Sequence, residues 1–156
     1  MHPITPAARM TPTLHASLIA RYAQRRWQGV LILGPSGAGK SHLALKGVAA
    51  GWRLVADDRV IVWSDQGLVY GRAPETLTGL IEVRGLGVMT AASPVLAFSK
   101  IVMVAHLAPA ETIERFPEPG HETVVGLSVP AIALDPFSEL SLSILSLALD
   151  HLPVGE

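Results

Sequence analysis

The feature that most constrains this chain is a glycine-rich octapeptide at residues 34–41, with the sequence GPSGAGKS. Four apolar residues precede it at 30–33, and a segment rich in leucine, valine and alanine follows it at 40–50. A short apolar run bounded by glycine is typical of a buried strand, whereas residues 40–50 favour a helix that Gly51 can terminate. The sequence therefore predicts a strand, a tight glycine-rich turn and a helix in direct succession.

The octapeptide has a specific chemistry, because it matches the pattern GxxxxGK[ST] of phosphate-binding loops, or P-loops. Glycines let successive backbone N–H groups curve around a phosphate, and the following helix directs its N-terminal dipole at the same anion. Lys40 can reach the β- and γ-phosphates, and the Ser41 hydroxyl suits Mg²⁺, which prefers oxygen ligands. No NKxD element is present to read a guanine base. We predict that ATP and Mg²⁺ bind here, with the nucleotide contacted by Gly34, Pro35, Ser36, Gly37, Ala38, Gly39, Lys40 and Ser41.

Two adjacent carboxylates follow the next predicted strand, Arg53–Ala56. The two strands and the helix between them form a β-loop-α-β unit, which favours parallel pairing of its strands. Ligands of open α/β sheets bind at the carboxyl ends of strands, so Asp57 and Asp58 are candidates for a general base and for a group that orients Mg²⁺. The alternative is a polar strand end with a capping aspartate, and position alone does not decide between the two.

Glu82, Arg84 and His15 are further candidates. Glu82 and Arg84 alternate along a predicted strand and so face one side of it. Glu82 can complete a Mg²⁺ shell and Arg84 can bind a phosphate, but an exposed salt pair fits the same pattern. His15 lies on another predicted strand, where it is either a buried, hydrogen-bonded histidine or a group that assists phosphate transfer.

The predicted fold class is α/β: a P-loop-containing single domain, residues 13–152, with a central mixed β-sheet flanked by helices. Residues 1–12 are predicted to form a flexible N-terminal arm. A last helix is predicted from about 137 to 151, with Asp135 as N-cap and Pro136 at the first helical position. The other predicted elements are a hairpin of 60–63 and 68–70, strands at 80–83 and 101–105, and extended pieces within 124–134.

Composition excludes several classes of protein. The chain has 156 residues, which suits one domain, and no cysteine, which excludes disulfides and a thiolate nucleophile. No cluster of lysine and arginine is interleaved with aromatic residues, so we expect no nucleic-acid partner. Three arginines interrupt the apolar segment 14–33, and the N-terminus lacks the apolar core of a secretory signal. We therefore expect a soluble, cytoplasmic protein that does not bind membranes.

Taken together, these segments resemble the catalytic domain of bacterial HPr kinase/phosphorylase. An ADD sequence soon after a P-loop, followed by an IE-x-RGLG block, is specific to that pattern, whereas GKS alone is not. The resemblance covers about residues 13–150. The matching segments are Leu14–Ala16, GPSGAGKS at 34–41, RLVADDRV at 53–60, IEVRGLGV at 81–88 and Glu114–Phe116.

The resemblance implies an ATP-dependent kinase that phosphorylates a regulatory serine of the phosphocarrier protein HPr, with pyrophosphate as an alternative phosphate donor. It also implies a homo-oligomer that is typically a hexamer. It implies that Asp58 is the base of phosphorylation, with Asp57 beside it. The other implied roles are an active-site histidine at His15, the active-site lysine at Lys40, Mg²⁺ ligands at Ser41 and Glu82, a further active-site arginine at Arg115, and a block needed in both reaction directions at 81–90.

Three departures from the family pattern change what is expected. Longer members carry an N-terminal domain that this sequence lacks, so the resemblance does not decide whether their metabolite control applies. His42 replaces the usual glutamate after the P-loop serine. The family's arginine-rich loop, associated with the phosphorylase reaction, corresponds to 129–138, which contains no lysine or arginine. Because inorganic phosphate needs cationic donors, we predict weak or absent phosphorylase activity.

Two other functions fit the same residues. One is a related P-loop kinase that acts on another protein or on a small hydroxyl substrate. The other is a nucleotide-sensing module without turnover, although the three carboxylates Asp57, Asp58 and Glu82 argue against it.

Overall fold

A computed structural model describes residues 11–91 and 94–152. Most of the predicted arm, 1–10, lies outside the described residues. Its last residue, Pro12, accepts a hydrogen bond at its carbonyl from the Val62 N–H, at 3.0 Å. The described residues form two α-helices, α1 Lys40–Ala49 and α2 Ser141–Asp150. They also form eleven strands: β1 Thr13–His15, β2 Ser17–Ala23, β3 Arg26–Leu33, β4 Arg53–Ala56, β5 Arg59–Asp65, β6 Leu68–Arg72, β7 Leu80–Val83, β8 Gly87–Thr90, β9 Ser99–Leu107, β10 Gly120–Val124 and β11 Leu127–Leu134.

Nine of these strands make one mixed sheet, as the sequence predicted. Seven follow the order β1-β5-β6-β9-β3-β2-β4, and β11 joins β9 and carries β10 on its other edge. β9 runs parallel to β3 and to β11, whereas the other pairs are antiparallel. The carboxyl ends of these three parallel strands therefore meet at one edge of the sheet. β7 and β8 form a separate hairpin.

The two faces of the sheet are covered in different ways. Along β3, Val30 and Ile32 point to a core that also holds Leu43 of α1 and Leu145 of α2. Leu31 points to the opposite face, because successive side chains of a strand alternate. That second core holds side chains from β5, β6 and β10, so the sheet curls over and covers its own second face. Both helices therefore flank the same face.

The glycine that ends α1 was predicted correctly. Gly51 has φ 99°, which favours glycine, and its N–H donates to the Val48 carbonyl at 3.1 Å. The Trp52 N–H donates to the Gly47 carbonyl at 2.9 Å, which completes a Schellman motif. Each helix is ten residues long, and no helix of the described chain is long and apolar enough to cross a bilayer.

The predicted parallel pairing of the β-loop-α-β unit is wrong. β3 and β4 run in the same direction, but β2 lies between them and pairs antiparallel with both. β2 reaches this place through a two-residue turn at Gln24 and Arg25, which have φ 56° and 66°. β3 finds its parallel partner in β9 instead.

The last helix begins later than predicted, at Ser141, and Asp135 does not cap it. Asp135 Oδ1 accepts the N–H two residues later at 3.0 Å, and Ser138 Oγ accepts the N–H two residues after it at 3.1 Å, so two side-chain turns replace the first helical turn. The carbonyls of Pro136 and Ser138 accept hydrogen bonds from Lys46 Nζ, at 2.7 and 3.0 Å. These bonds hold residues 135–140 as a loop against α1.

Candidate functional site

The glycine-rich loop, residues 34–41, joins the carboxyl end of β3 to α1 at the edge where the parallel strands end. Gly37 and Gly39 have φ 83° and 109°, values that allow the tight turn. Lys40 Nζ donates to the carbonyls of Gly34 at 2.7 Å and Pro35 at 3.1 Å. The lysine therefore lies across the loop, with its charge beside the space that the loop encloses.

Residues 136 and 137 pack against the glycine-rich loop at Gly39. A Cβ atom on Gly39 would lie 2.8 Å from Pro136 Cγ and 3.0 Å from the ring of Phe137. No side chain fits there, so glycine is required at position 39 for the packing as well as for the backbone angle. This close contact holds the loop against the segment after β11.

Asp57 is the centre of a buried hydrogen-bond network that joins α1 to β2 and β7. Only 4% of its surface is exposed. Its carboxylate accepts hydrogen bonds from Ser17 Oγ at 2.6 Å, from Ser41 Oγ at 2.8 Å and from the Glu82 N–H at 2.9 Å. A buried carboxylate needs such donors, and here they come from β2, α1 and β7. Asp57 therefore positions the loop serine relative to two strands.

Asp58 has the opposite environment. Its side chain is 68% exposed, and the one ion pair that it makes within the described residues, with Arg59 Nε, is long at 3.7 Å. The residue has φ 70°, a conformation that aspartate tolerates better than most residues do. The backbone turn directs the two neighbouring carboxylates apart, one into the protein and one towards the cavity in front of the loop.

That front cavity has a volume of about 650 Å³, within the usual range for small-molecule sites. The β7–β8 hairpin forms one wall, and the loop and the start of α1 form the opposite wall. The cavity brings together eight of the residues predicted from the sequence: Ser36, Gly37, Gly39, Lys40, Ser41, Asp58, Glu82 and Arg84. Cations and carboxylates therefore surround a single space, as handling of a metal-bound phosphate requires.

The front cavity also contains two aromatic rings whose contact sequence reasoning did not predict. The rings of His42 and Phe137 lie 4.8 Å apart. Partial burial lowers the pKa of His42 below its ordinary value of 6.5, and the positive charges of Lys46 and Arg84 lower it further. The imidazole is therefore neutral near pH 7. The sequence carried no signal for this pair, because the exposure of Phe137 and its contact with His42 are visible only in the structure.

The oxygen donors around the loop fit Mg²⁺. Proteins hold this ion through one or two carboxylates, with phosphates and waters completing its octahedral shell. The Ser41 hydroxyl touches Asp57, and the carboxylates of Asp58 and Glu82 face the same cavity. Within the described ranges, no group of three histidine, aspartate or glutamate side chains could enclose a metal by itself. The site thus suits an ion that arrives with its phosphate ligands.

His15 and Arg115 do not line the front cavity. They also do not line a second, smaller cavity on the other side of the loop. His15 is exposed on β1, and the N–H of its neighbour Ala16 donates to the Asp58 carbonyl at 3.2 Å. Arg115 is exposed and lies over the Phe116 ring, 5.6 Å from its centroid. The structure thus brings His15 near the strand end that carries Asp58 but leaves Arg115 apart from the cavity.

Ser17 is the functional partner that sequence reasoning did not identify. It is completely buried and makes the shortest hydrogen bond to Asp57. Its only signal in the sequence is a hydroxyl at the start of the apolar run Leu18–Ala20. A buried serine in such a run needs a partner, but the sequence does not show which one.

Comparison with known proteins places this arrangement in a family. The HPr Serine kinase C-terminal domain profile matches residues 10–139. Among curated relatives, HPr kinase/phosphorylase of Lacticaseibacillus casei is 35% identical over 144 residues, covering 80% of this chain and 45% of the relative. The Bacillus licheniformis protein of the same name is 37% identical over 134 residues, covering 80% of this chain and 42% of the relative. The chain thus spans less than half the length of these curated relatives.

A solved structure agrees with the sequence relatives. The structure of the Hpr(Ser) kinase/phosphatase from Coxiella burnetii matches 90% of this chain and 95% of that chain, with a TM-score of 0.74 and 26% sequence identity. The curled mixed sheet and its two helices are therefore shared with a protein of that name.

Proposed function

This chain belongs to the HPr serine kinase C-terminal domain family, and from that premise we propose that it transfers the γ-phosphate of ATP to a serine of the phosphocarrier protein HPr. The observation that carries the proposal is the front cavity. There a P-loop lysine and serine, an exposed carboxylate and an arginine face one space of a size that suits a bound substrate. Phosphoryl transfer relies mainly on such positioning and on charge stabilisation.

In this proposal Asp58 is the general base. A base must reach the acceptor hydroxyl and carry a free lone pair. Asp58 is exposed at the cavity, and its ion pair with Arg59 is long. Asp57 is unsuited to that task, because its buried oxygens already accept hydrogen bonds from three donors. Its proposed role is to position Ser41.

Lys40 and Arg84 are the proposed phosphate-binding cations, since both face the front cavity. Ser41 and Glu82 are the proposed residues that hold Mg²⁺, which when bound would neutralise charge on the phosphates. His15 and Arg115 lie outside the cavity and would have to approach the transferred group once an acceptor or a second copy of the chain is bound. Self-association, up to a hexamer, is part of the same proposal, and light scattering with size-exclusion chromatography tests it.

The proposal also includes weak or absent phosphorylase activity. The segment 135–137 that borders the glycine-rich loop contributes no cation to either cavity. Lys46 of α1 lies against this segment, but its three N–H groups donate to the Pro136 carbonyl, the Ser138 carbonyl and Ser141 Oγ. Inorganic phosphate would therefore find few donors on this side of the loop.

Transfer of labelled γ-phosphate from Mg·ATP to purified HPr tests the proposal, with HPr carrying alanine at the acceptor serine as the control. Labelling of HPr that is lost in the control variant is the expected result. Binding of ATP without labelling would contradict HPr as the acceptor and would favour a related kinase or a nucleotide sensor. Phospho-HPr incubated with inorganic phosphate tests the second part, where release at a rate comparable with the forward reaction would contradict it.

A further inference from the structure

A second cavity lies on the other side of the glycine-rich loop. Its volume is about 440 Å³. It opens between the loop, the end of β9 with the following residues 108–111, and the segment 135–137 after β11. Gly37 and Phe137 border both this rear cavity and the front cavity. One ligand held by the loop can therefore extend from one cavity into the other.

The two cavities differ in charge. The front cavity contains Lys40 and Arg84, whereas no lysine or arginine of the described chain lines the rear cavity. The charged residues of the rear cavity are two carboxylates, Glu111 and Asp135, and the rest of its lining is mostly apolar. Such a space repels a triphosphate and suits an uncharged, flat group that has hydrogen-bond donors at its edge.

Both carboxylates have acceptor capacity left for a ligand. Asp135 uses Oδ1 to accept the Phe137 N–H at 3.0 Å, and its other oxygen makes no hydrogen bond within the described residues. Glu111 is exposed and makes no hydrogen bond or ion pair with the part of the chain that the structure describes. A ligand amino group could donate to either oxygen.

The walls of the rear cavity are held in place before any ligand binds. The Ala108 N–H donates to the Leu134 carbonyl at 2.9 Å, which ties the segment after β9 to the end of β11. Lys46 Nζ fixes the Pro136 carbonyl at 2.7 Å, and the glycine-rich loop packs directly on Pro136. A preformed wall lowers the ordering cost of binding.

We infer that the rear cavity binds the amino-bearing purine base of the donor nucleotide, while the triphosphate lies in the front cavity. The apolar lining and Phe137 contact the base, and Glu111 and Asp135 accept hydrogen bonds from its amino group. This inference rests on the proposed function, because it presupposes that a nucleotide is the phosphate donor.

Calorimetric titration of the intact chain with three ligands tests the inference. Mg·ATP carries the whole donor, Mg·tripolyphosphate lacks the nucleoside, and Mg·purine riboside triphosphate differs from ATP only in lacking the amino group. ATP should bind about tenfold more tightly than purine riboside triphosphate, because a hydrogen bond to a charged acceptor is worth about that much. Equal affinity for ATP and tripolyphosphate would overturn the inference.

Two sets of variants locate the base. Ala110→Trp fills the rear cavity. It should weaken the affinity for ATP by about tenfold or more and change the affinity for tripolyphosphate by less than about twofold. Ala49→Trp, on the exposed end of α1 away from both cavities, is the matched control and should leave both affinities unchanged. Glu111→Gln combined with Asp135→Asn keeps the size of the side chains and should remove most of the preference for ATP over purine riboside triphosphate.

The outcomes separate this inference from the function on which it rests. If Ala110→Trp leaves ATP affinity unchanged, or weakens tripolyphosphate equally, the base lies elsewhere although nucleotide binding stands. If Ala110→Trp does not fold, the amide variants decide, and an unchanged preference for ATP overturns the inference. If the wild-type chain binds neither ATP nor tripolyphosphate, both the inference and the proposed function fail.

Discussion

Asp57 and Asp58 are neighbours in sequence, yet they belong to two different regions of the molecule. Asp57 lies in the buried interior, where donors from β2, α1 and β7 surround it. Asp58 lies in the open region in front of the loop, with most of its side chain in solvent. A carboxylate surrounded by donors holds structure together, whereas an exposed one keeps its lone pairs for a substrate. The difference in environment therefore separates two proposed roles within one dipeptide.

The largest expected effect is on the chemistry at the exposed carboxylate. Asp58→Asn should lower the rate of phosphate transfer by about 10²–10⁴-fold, because an amide cannot accept the acceptor's proton. ATP affinity should stay within about twofold, since the loop and Lys40 are unchanged. Rates from labelled-phosphate transfer and affinities from calorimetry check this. A near-normal transfer rate would show that the two aspartates are not divided as described.

The buried carboxylate should matter most for stability. Asp57→Ala removes the acceptor of three hydrogen bonds and should lower the free energy of unfolding by about 2–4 kcal/mol, measured by urea denaturation. Asp58→Asn is the matched control on the exposed side and should change that free energy by less than about 0.5 kcal/mol. Equal losses for both variants would remove the contrast between the two regions.

Within the loop, substitution of two glycines should cost different amounts of stability, because one is closely packed and the other is not. Gly39→Ala should cost about 2–3 kcal/mol of unfolding free energy, because it combines backbone strain with a clash against Pro136 and Phe137. Gly37→Ala has a similar positive φ, but nothing lies within 4 Å of the added methyl group, so about 1 kcal/mol is expected. Denaturation of both variants checks the difference, and an equal cost would mean that strain alone sets it.

The smallest expected effect concerns His42 at the front cavity. Burial is the main cause of its lowered pKa, followed by the charges of Lys46 and Arg84. Arg84→Gln removes one positive charge that opposes protonation, so the pKa should rise but stay below 6.5, because burial remains. Titration of the imidazole by NMR measures the change. Arg115→Gln, remote from the cavity, should leave the titration unchanged, and an equal shift in both variants would exclude a local effect of Arg84.

Local patterns in the sequence predicted the elements that depend on local chemistry. The glycine-rich turn, the helix ended by Gly51, the hairpin of β5 and β6, and the strand β7 all lie where their residues indicated. Each has a signal within a few residues, such as a turn dipeptide or a positive-φ glycine. The mixed sheet was also predicted correctly as a class of fold.

The arrangement of these elements depends on contacts that no local pattern reveals. The turn that places β2 beside β3 has glutamine and arginine at positive φ, where glycine or asparagine would have given a signal. The start of α2 is displaced by Lys46, about ninety residues earlier in the chain. The Ser17 partner of Asp57 is forty residues away. Sequence reasoning proposed the reactive groups of the candidate site but did not identify the residues that hold them.

The pairing of β3 has a consequence for how the chain acquires its site. β3 can form its hairpin with β2 early, because their turn is short and closing it costs little entropy. Its other edge is filled by β9, which is synthesised only after residues 34–98. Long-range parallel pairing of this kind is slow compared with hairpin formation. Until β9 docks, β3 exposes an apolar edge that can pair with another chain, so a nascent or truncated chain that ends before β9 is an aggregation hazard.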